Sequence, residues 1–138
     1  MRDMQMVLDM WGAWAESDTC NIDYSSIAAG FKGLLPQTSK TRIMCTDDDG
    51  LIIEGCMARL LKKCPYDYQL LVGHDILRFS KQQMAKHRKK SEKQIRIEML
   101  LAEGFIEGCL SMLDVRLEMD AVVSIPNSQK SASAVRIF

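Results

Sequence analysis

The densest chemistry in this 138-residue chain lies between Arg78 and Arg96. There Arg78, Lys81, Lys86, Arg88, Lys89, Lys90, Lys93 and Arg96 face a single acid, Glu92. Clustered ammonium and guanidinium groups neutralise phosphates and release their counterions, so the stretch reads as a phosphate-binding footprint. Within it Ser80-Lys81-Gln82-Gln83 and Ser91-Glu92-Lys93-Gln94 are both S-x-x-Q sequences, the form of a helix-starting capping box. Their eleven-residue offset leaves room for a helix of about two turns between them. Met84 and Ala85 on that helix, and Ile95, Met99 and Ala102 on the next, are placed to face inward. A short helix, a tight turn and a longer helix make a helix-turn-helix, whose second helix in DNA-binding proteins enters the major groove. Lys86, Arg88, Lys89 and Lys90 around the turn suit phosphates. Beyond them come Ser91, the helix start, and the candidate base readers Lys93, Gln94 and Arg96, with Ile97 beside them. Glutamine pairs bidentately with adenine, and arginine or lysine with guanine. His87 belongs to the same cationic surface. An αα-hairpin with a solvated basic face would have the same apolar pattern, and Lys89 stands where such turns often carry glycine.

Other chemistries find little support. With His74 and His87 the only histidines, and no nucleophile elbow or phosphate-loop glycine pattern, no catalytic site assembles. The five cysteines form no C-x-x-C pair, and a zinc set of Cys45, Cys56, Cys64 and His74 would have gaps unlike those of fingers or ribbons. Asp47, Asp48 and Asp49 are adjacent where a calcium loop needs alternation, so helix-start chemistry after Thr46 explains them better. No metal or cofactor is expected.

The elements that must hold the basic segment read as helices. Met4, Val7, Leu8, Trp11, Trp14 and Ala15 make one apolar stripe, and a short helix follows around Tyr24 to Phe31. Residues 36–45, with Lys40 and Arg42, read as an exposed basic loop. Thr46 opens a helix that carries Ile53, Cys56, Met57, Leu60 and Cys64 on one face and stops before Pro65. Another helix is expected from Tyr68 to Arg78, and from there the chain reads as helical to Leu117 with one interruption near Arg88–Lys90. Gly104 and Gly108 suggest close approach of another backbone, within the core or between subunits, while Glu98, Glu103, Glu107, Asp114 and Glu118 are expected to face away from DNA. The predicted fold is all-α: one compact multi-helix domain over residues 1–123, with the helix-turn-helix at about 80–105 and a flexible C-terminal tail at 124–138.

Charge is segregated although the net is zero. Residues 1–55 carry 4 basic and 9 acidic side chains, 56–97 carry 11 and 3, and 98–138 carry 3 and 6. A positive block between two acidic ones orients a protein on a polyanion as well as attracting it. No apolar run is long enough to span a membrane and the N-terminus lacks signal-peptide character, so a cytoplasmic protein is expected.

Longer blocks of the sequence resemble a known family. Met1-Arg2-Asp3-Met4-Gln5-Met6-Val7-Leu8 followed by Trp11-Gly12-Ala13-Trp14-Ala15 is similar to the opening of the lambdoid-phage antitermination protein Q family, in its short form lacking a zinc finger. So are Tyr24 to Leu34, the Asp47-Asp48-Asp49 helix start, Ala102-Glu103-Gly104 with Glu107-Gly108, and Val115 to Asp120. The resemblance runs from residue 1 to about 120. It implies a sigma-like helix-turn-helix in a late-gene regulator that binds double-stranded DNA at a phage late promoter and engages host RNA polymerase, core enzyme with sigma. The modified polymerase would read through pauses and terminators, with the factor as a collar at the RNA-exit channel, close to nascent RNA. Such a protein would work at the nucleoid in the bacterial cytoplasm, and its copy number stays open, two on the DNA being one option. Family members tend to carry glycine in the turn where this chain has Arg88-Lys89-Lys90, so the DNA site does not transfer. A conventional helix-turn-helix repressor or activator is the alternative.

Overall fold

The computed structural model describes residues 2–17, 24–31, 33–35 and 42–124. The apolar stripe near the start forms α1 (Met4–Glu16), capped by Asp3, whose carboxylate accepts from the Met6 amide at 3.2 Å. A short α2 (Ser25–Gly30) follows and delivers Phe31 to the core. Thr46 caps α3 (Asp47–Lys63), its hydroxyl accepting from the Asp49 amide at 3.3 Å, and Lys62 and Lys63 sit at the negative end of the helix. Pro65 stops α3 but also starts α4 (Pro65–Asp75), because a first-turn proline lacks only an N–H that has no intrahelical partner. The helix expected from Tyr68 therefore begins three residues earlier. It also ends earlier, since the chain breaks over 76–80 and Arg78 takes a left-handed φ of 65°. The basic segment follows as α5 (Lys81–Arg88) and α6 (Glu92–Leu113).

Helix α4 sits at the centre, touching α1, α2, α3, α5 and α6. Leu70, Leu71, Val72 and Gly73 are all buried in succession, as a helix covered on several sides requires. The core around it holds Leu8, Trp11, Phe31, Ile53, Met57, Met84, Ile95, Met99 and Ile106. Two glycines make room for neighbours: a Cβ on Gly12 would lie 2.0 Å from the Asp75 carbonyl oxygen, and one on Gly50 would lie 2.4 Å from the Trp14 ring.

The acidic run at the start of α3 does more than favour a helix dipole. Asp47 accepts the Trp14 indole N–H at 2.8 Å. Asp49 is buried, and its two oxygens accept the backbone amides of Glu118 at 2.9 Å and Met119 at 2.8 Å. The Thr46–Asp49 pair thus forms only half of the expected capping box, because the acid binds a segment some seventy residues away. That anchor explains another departure. Helix α6 stops at Leu113, Asp114 turns left-handed (φ 53°), and the chain folds back so that Leu117 and Met119 join the core. A last short helix, α7 (Asp120–Val123), closes the fold. Arg2 clamps it, Nε to Asp120 Oδ1 at 2.6 Å and a terminal nitrogen to the Val115 carbonyl at 2.8 Å. Burial pushes the Asp120 carboxyl up, but the bonds from Arg2 and the Leu117 amide, together with the charges of Arg2 and Arg116, hold it below the usual range.

Three further expectations change. Of the anticipated basic loop, residues 36–41 lie outside the described residues, and Arg42 turns inward, donating to the Asp75 carbonyl at 2.5 Å and pairing with Asp9 at 3.3 Å. Gly104 and Gly108 meet nothing within 4 Å of a Cβ among the described residues, so the close approach, expected within the core or between subunits, is not made within the core. Glu103 is buried, not outward-facing, near the fully enclosed Asp75. All but Ser124 of the expected tail lies outside the described residues. The described residues contain no strand, only an isolated antiparallel bridge between Arg2 and Ser124, and no helix among them is long and apolar enough to cross a membrane.

Two stability predictions follow from the buried acids. Asp49→Ala strands the Glu118 and Met119 amides and should cost about 2–3 kcal/mol in urea unfolding, loosening the 114–123 segment in hydrogen exchange first. Desolvation, reinforced by Glu103, pushes the Asp75 carboxyl well above its ordinary value, and one of its oxygens has no hydrogen-bond partner. A raised folded-state value means that the charged form destabilises the fold at neutral pH, and that the penalty lifts as pH falls through it. Asp75→Asn should therefore stabilise the protein at pH 7 by about 1 kcal/mol and flatten the rise in melting temperature expected of the parent as the pH falls from neutral.

Candidate nucleic-acid interface

The basic segment folds around two serines. Ser80 forms a complete capping box: its hydroxyl accepts the Gln83 amide at 3.0 Å, and Gln83 Oε1 accepts the Ser80 amide at 2.9 Å. The Gln83 side-chain amide also donates to the Leu35 carbonyl at 2.9 Å, tying the start of α5 to the segment after α2. Ser91 accepts the Gln94 amide at 3.1 Å, but the Gln94 side chain turns forward and donates to Glu98 at 3.0 Å instead of returning to Ser91. The second box is thus half formed. Met84, Ala85, Ile95, Met99 and Ala102 are buried between the two helices, as their spacing predicts.

Between the helices the chain reverses over Lys89, Lys90 and Ser91. Lys89 adopts φ 58°, ψ 43°, with its amide on the Lys86 carbonyl at 3.2 Å, and the Lys90 amide reaches the Ala85 carbonyl at 2.9 Å. These two bonds make a Schellman ending, in which the left-handed position usually belongs to glycine. A lysine there accepts a backbone cost of about 1–2 kcal/mol.

The structure sorts the cations of this segment into two groups. Arg88 lies against aromatic rings, its guanidinium carbon 4.1 Å from the Tyr66 centroid and 5.0 Å from that of Phe31, and it donates to Gln69 Oε1 at 3.0 Å. Lys90 reaches the same Tyr66 ring, at 4.3 Å, and pairs with Glu98 at 2.8 Å. Burial would raise the Glu98 carboxyl, but hydrogen bonds from Lys90 and Gln94 outweigh it and hold it below its ordinary range. Arg96 pairs with Glu92 one turn back, and Arg78 with Glu16 of α1. In contrast, Lys86, Lys89 and Lys93 are exposed, with no acid paired to them among the described residues. Lys86 is on the last turn of α5, Lys89 in the turn and Lys93 on the first turn of α6, where the helix dipole adds positive potential. Gln94 and Arg96 are exposed on the first turns of α6, and Ile97 presents an apolar side chain that is 48% exposed. His87 leans on Phe31 with ring centroids 5.6 Å apart.

Sequence reasoning missed two residues here. Tyr66, from the start of α4, carries the stack that holds Arg88 and Lys90, and a tyrosine beside a proline gives no signal of that. Glu98 lies eight residues after Lys90, a spacing outside the helical i, i+4 rule that would have paired them. Its carboxylate accepts from Lys90 and Gln94 near the start of α6. His74 serves structure: its Nδ1 lies 2.9 Å from the Phe79 carbonyl, and burial lowers its pKa and favours the neutral ring. No three His, Cys, Asp or Glu side chains gather as a metal site among the described residues.

Comparison with known proteins agrees on the class of this chain. Residues 1–118 match the family model described as phage antitermination protein Q. The "Probable antitermination protein Q" of Acyrthosiphon pisum secondary endosymbiont phage 1 is 46% identical over 139 residues, covering 98% of this chain and 94% of that one. "Prophage antitermination protein Q homolog QuuD" of Escherichia coli (strain K12) is 47% identical over 127 residues, covering 92% of this chain and 100% of its own length. Among solved structures, the fold is similar to that of the bacteriophage 21 Q protein, with a TM-score of 0.57 at 16% identity over 80% of this chain and 92% of that one. It is also similar to "Transcription antitermination factor Q21 in complex with Q21-binding-element DNA", with a TM-score of 0.54 at 18% identity over 80% of this chain and 91% of that one. A family match over most of the length, joined to relatives of this identity, shows that the chain belongs to the phage antitermination protein Q family.

Proposed function

We propose that the protein is an antitermination factor that binds promoter-proximal duplex DNA through α5, the Lys89–Ser91 turn and the start of α6, and that engages host RNA polymerase so that it reads through pauses and terminators. The observation that carries this reading is the exposed head of α6 in a chain of this family. Lys93 and Gln94 stand on its first turn, Lys89 lies in the turn before it and Lys86 on the last turn of α5, with no acid paired to any of the three lysines among the described residues. Support comes too from a protein of similar fold that was solved with its binding-element DNA. Lys86 and Lys89 grip phosphates on this reading, while Lys93 and Gln94 read base edges and Ile97 offers a surface to a thymine methyl. Gln94 must leave Glu98 to read a base, just as Arg96 must leave Glu92 and Lys90 must leave Glu98 before either serves a phosphate. Arg88, stacked on two rings, holds the turn in shape more than it contacts DNA.

Read-through demands differential binding: the factor must hold the elongating polymerase better than the hairpin-terminated one. A collar at the RNA-exit channel that leaves no room for duplex RNA would meet that demand sterically. The factor would act at the nucleoid, in the cytoplasm of the bacterial host.

Transcription in vitro through an intrinsic terminator placed downstream of the cognate late promoter tests the reading. Read-through should rise several-fold when the protein is loaded at the promoter. Promoter-level effects with unchanged termination would instead identify a conventional regulator. In gel-shift titrations Lys86→Ala, Lys89→Ala and Lys93→Ala should each lower the slope of log K against log salt by about 0.9, and Gln94→Ala should cost about 1–3 kcal/mol of sequence discrimination. Glu98→Gln frees Lys90 and removes a nearby anion, so it should tighten binding and steepen the salt slope. Lys89→Gly separates backbone from charge: thermal unfolding should show a gain of about 1 kcal/mol while the salt slope still falls.

A further inference from the structure

An apolar groove between α3 and α6 is unused by the proposed DNA contact. Leu51 and Ile52 from α3, and Phe105, Met112 and Leu113 from α6, line it. Leu51 is 60% exposed, Met112 86% and Leu113 56%, which is unusual for adjacent large apolar side chains on one surface. Phe105 lies twelve residues beyond Lys93, about 18 Å along the helix axis, so the groove and the DNA-facing end are separate surfaces of α6.

Two features say what the groove takes. Its charged lining residues are Arg59, Lys62 and Lys63, with no acid among them. Gly55 and Gly108 lie in its walls, and a Cβ on either would meet nothing within 4 Å. Glycine weakens a helix interior, and here no neighbour within the described chain explains it. The missing side chains widen the groove for something from outside. We infer that it binds an amphipathic helix of a partner protein, with the partner's apolar ridge on the floor and its acidic residues against Arg59, Lys62 and Lys63.

The charges argue against the other occupants. Residues 125–138 of this chain contain Lys130 and Arg136 but no Asp or Glu, so they would bring like charge to the basic rim. A second copy docked face to face would repeat the same three cations with no acid in the lining to meet them. A nucleic acid gains nothing from the exposed leucines and methionine. Helix-in-groove recognition supplies apolar anchors at i, i+3, i+4 and i+7, with rim charges that select the partner.

The full chain can be tested with designed peptides. A fluorescein-labelled stapled helix with leucines at i, i+4 and i+7 and three terminal glutamates serves as the probe, and its twin carries lysines in place of the glutamates. Fluorescence anisotropy should show the acidic peptide binding at least tenfold more tightly than the lysine twin. The combined Arg59→Glu, Lys62→Glu and Lys63→Glu variant should reverse that preference. Gly108→Phe should abolish binding of both peptides, with circular dichroism and the salt slope of DNA binding unchanged. Equal affinity for the twins, no binding up to millimolar peptide, or an intact signal in Gly108→Phe would each overturn the proposal. So would a dimer in sedimentation that Met112→Glu dissociates, which would assign the groove to a second copy. Peptide affinity and sedimentation are read without DNA or terminators, and the DNA salt slope serves only as a control on Gly108→Phe, so the groove can fail while the antitermination reading stands, and the reverse.

Discussion

Reversal of the chain within three residues, Lys89 to Ser91, is the constraint on which the functional surface depends. A left-handed lysine and two Schellman bonds end α5, and Ser91 starts α6 at once. The turn is not left to local preference. Tyr66, projecting from the central α4, stacks against Arg88 and Lys90, and Glu98 pairs with the Lys90 ammonium. The orientation of the head of α6 is thereby referred to α4, the element that all the other long helices touch. On the proposed reading, a head fixed to the core in this way would lose little conformational freedom on meeting a duplex.

The same network limits the charge available to a polyanion. Eight cations between Arg78 and Arg96 suggest a strongly positive surface. In the folded chain Arg78, Arg88, Lys90 and Arg96 are each engaged with an acid or an aromatic ring. Lys81 is half-buried, which leaves Lys86, Lys89 and Lys93 as the exposed cations with no acid or ring paired to them among the described residues. A modest number of free lysines around one helix end favours orientation over bulk attraction, because each engaged cation must exchange partners before it can serve a phosphate.

Much of this was legible from the residues alone. The serines eleven positions apart fixed both helix starts, and the inward set from Met84 to Ala102 followed from helical period. What sequence could not show depended on contacts across the fold. Asp49 looked like half of a capping box until its carboxylate was seen holding the Glu118 and Met119 amides. Helix α6 looked longer because Leu117 continues its apolar period, yet Leu117 reaches the core through a reversal at Asp114. The start of α4 was hidden because Leu70, Leu71 and Val72 are buried consecutively and leave no amphipathic period to read. Gly104 and Gly108 suggested a close neighbour, but the space beside them is open.

Photocrosslinking from p-azidophenylalanine substituted for Gln94 tests the central claim most directly, with the same probe substituted for Met112 as its control. If the head of α6 enters the major groove, position 94 should crosslink to bases within the protected DNA site, and position 112 should give no DNA adduct. Crosslinks to DNA from position 112 with none from position 94 would mean that another face of the molecule meets the duplex.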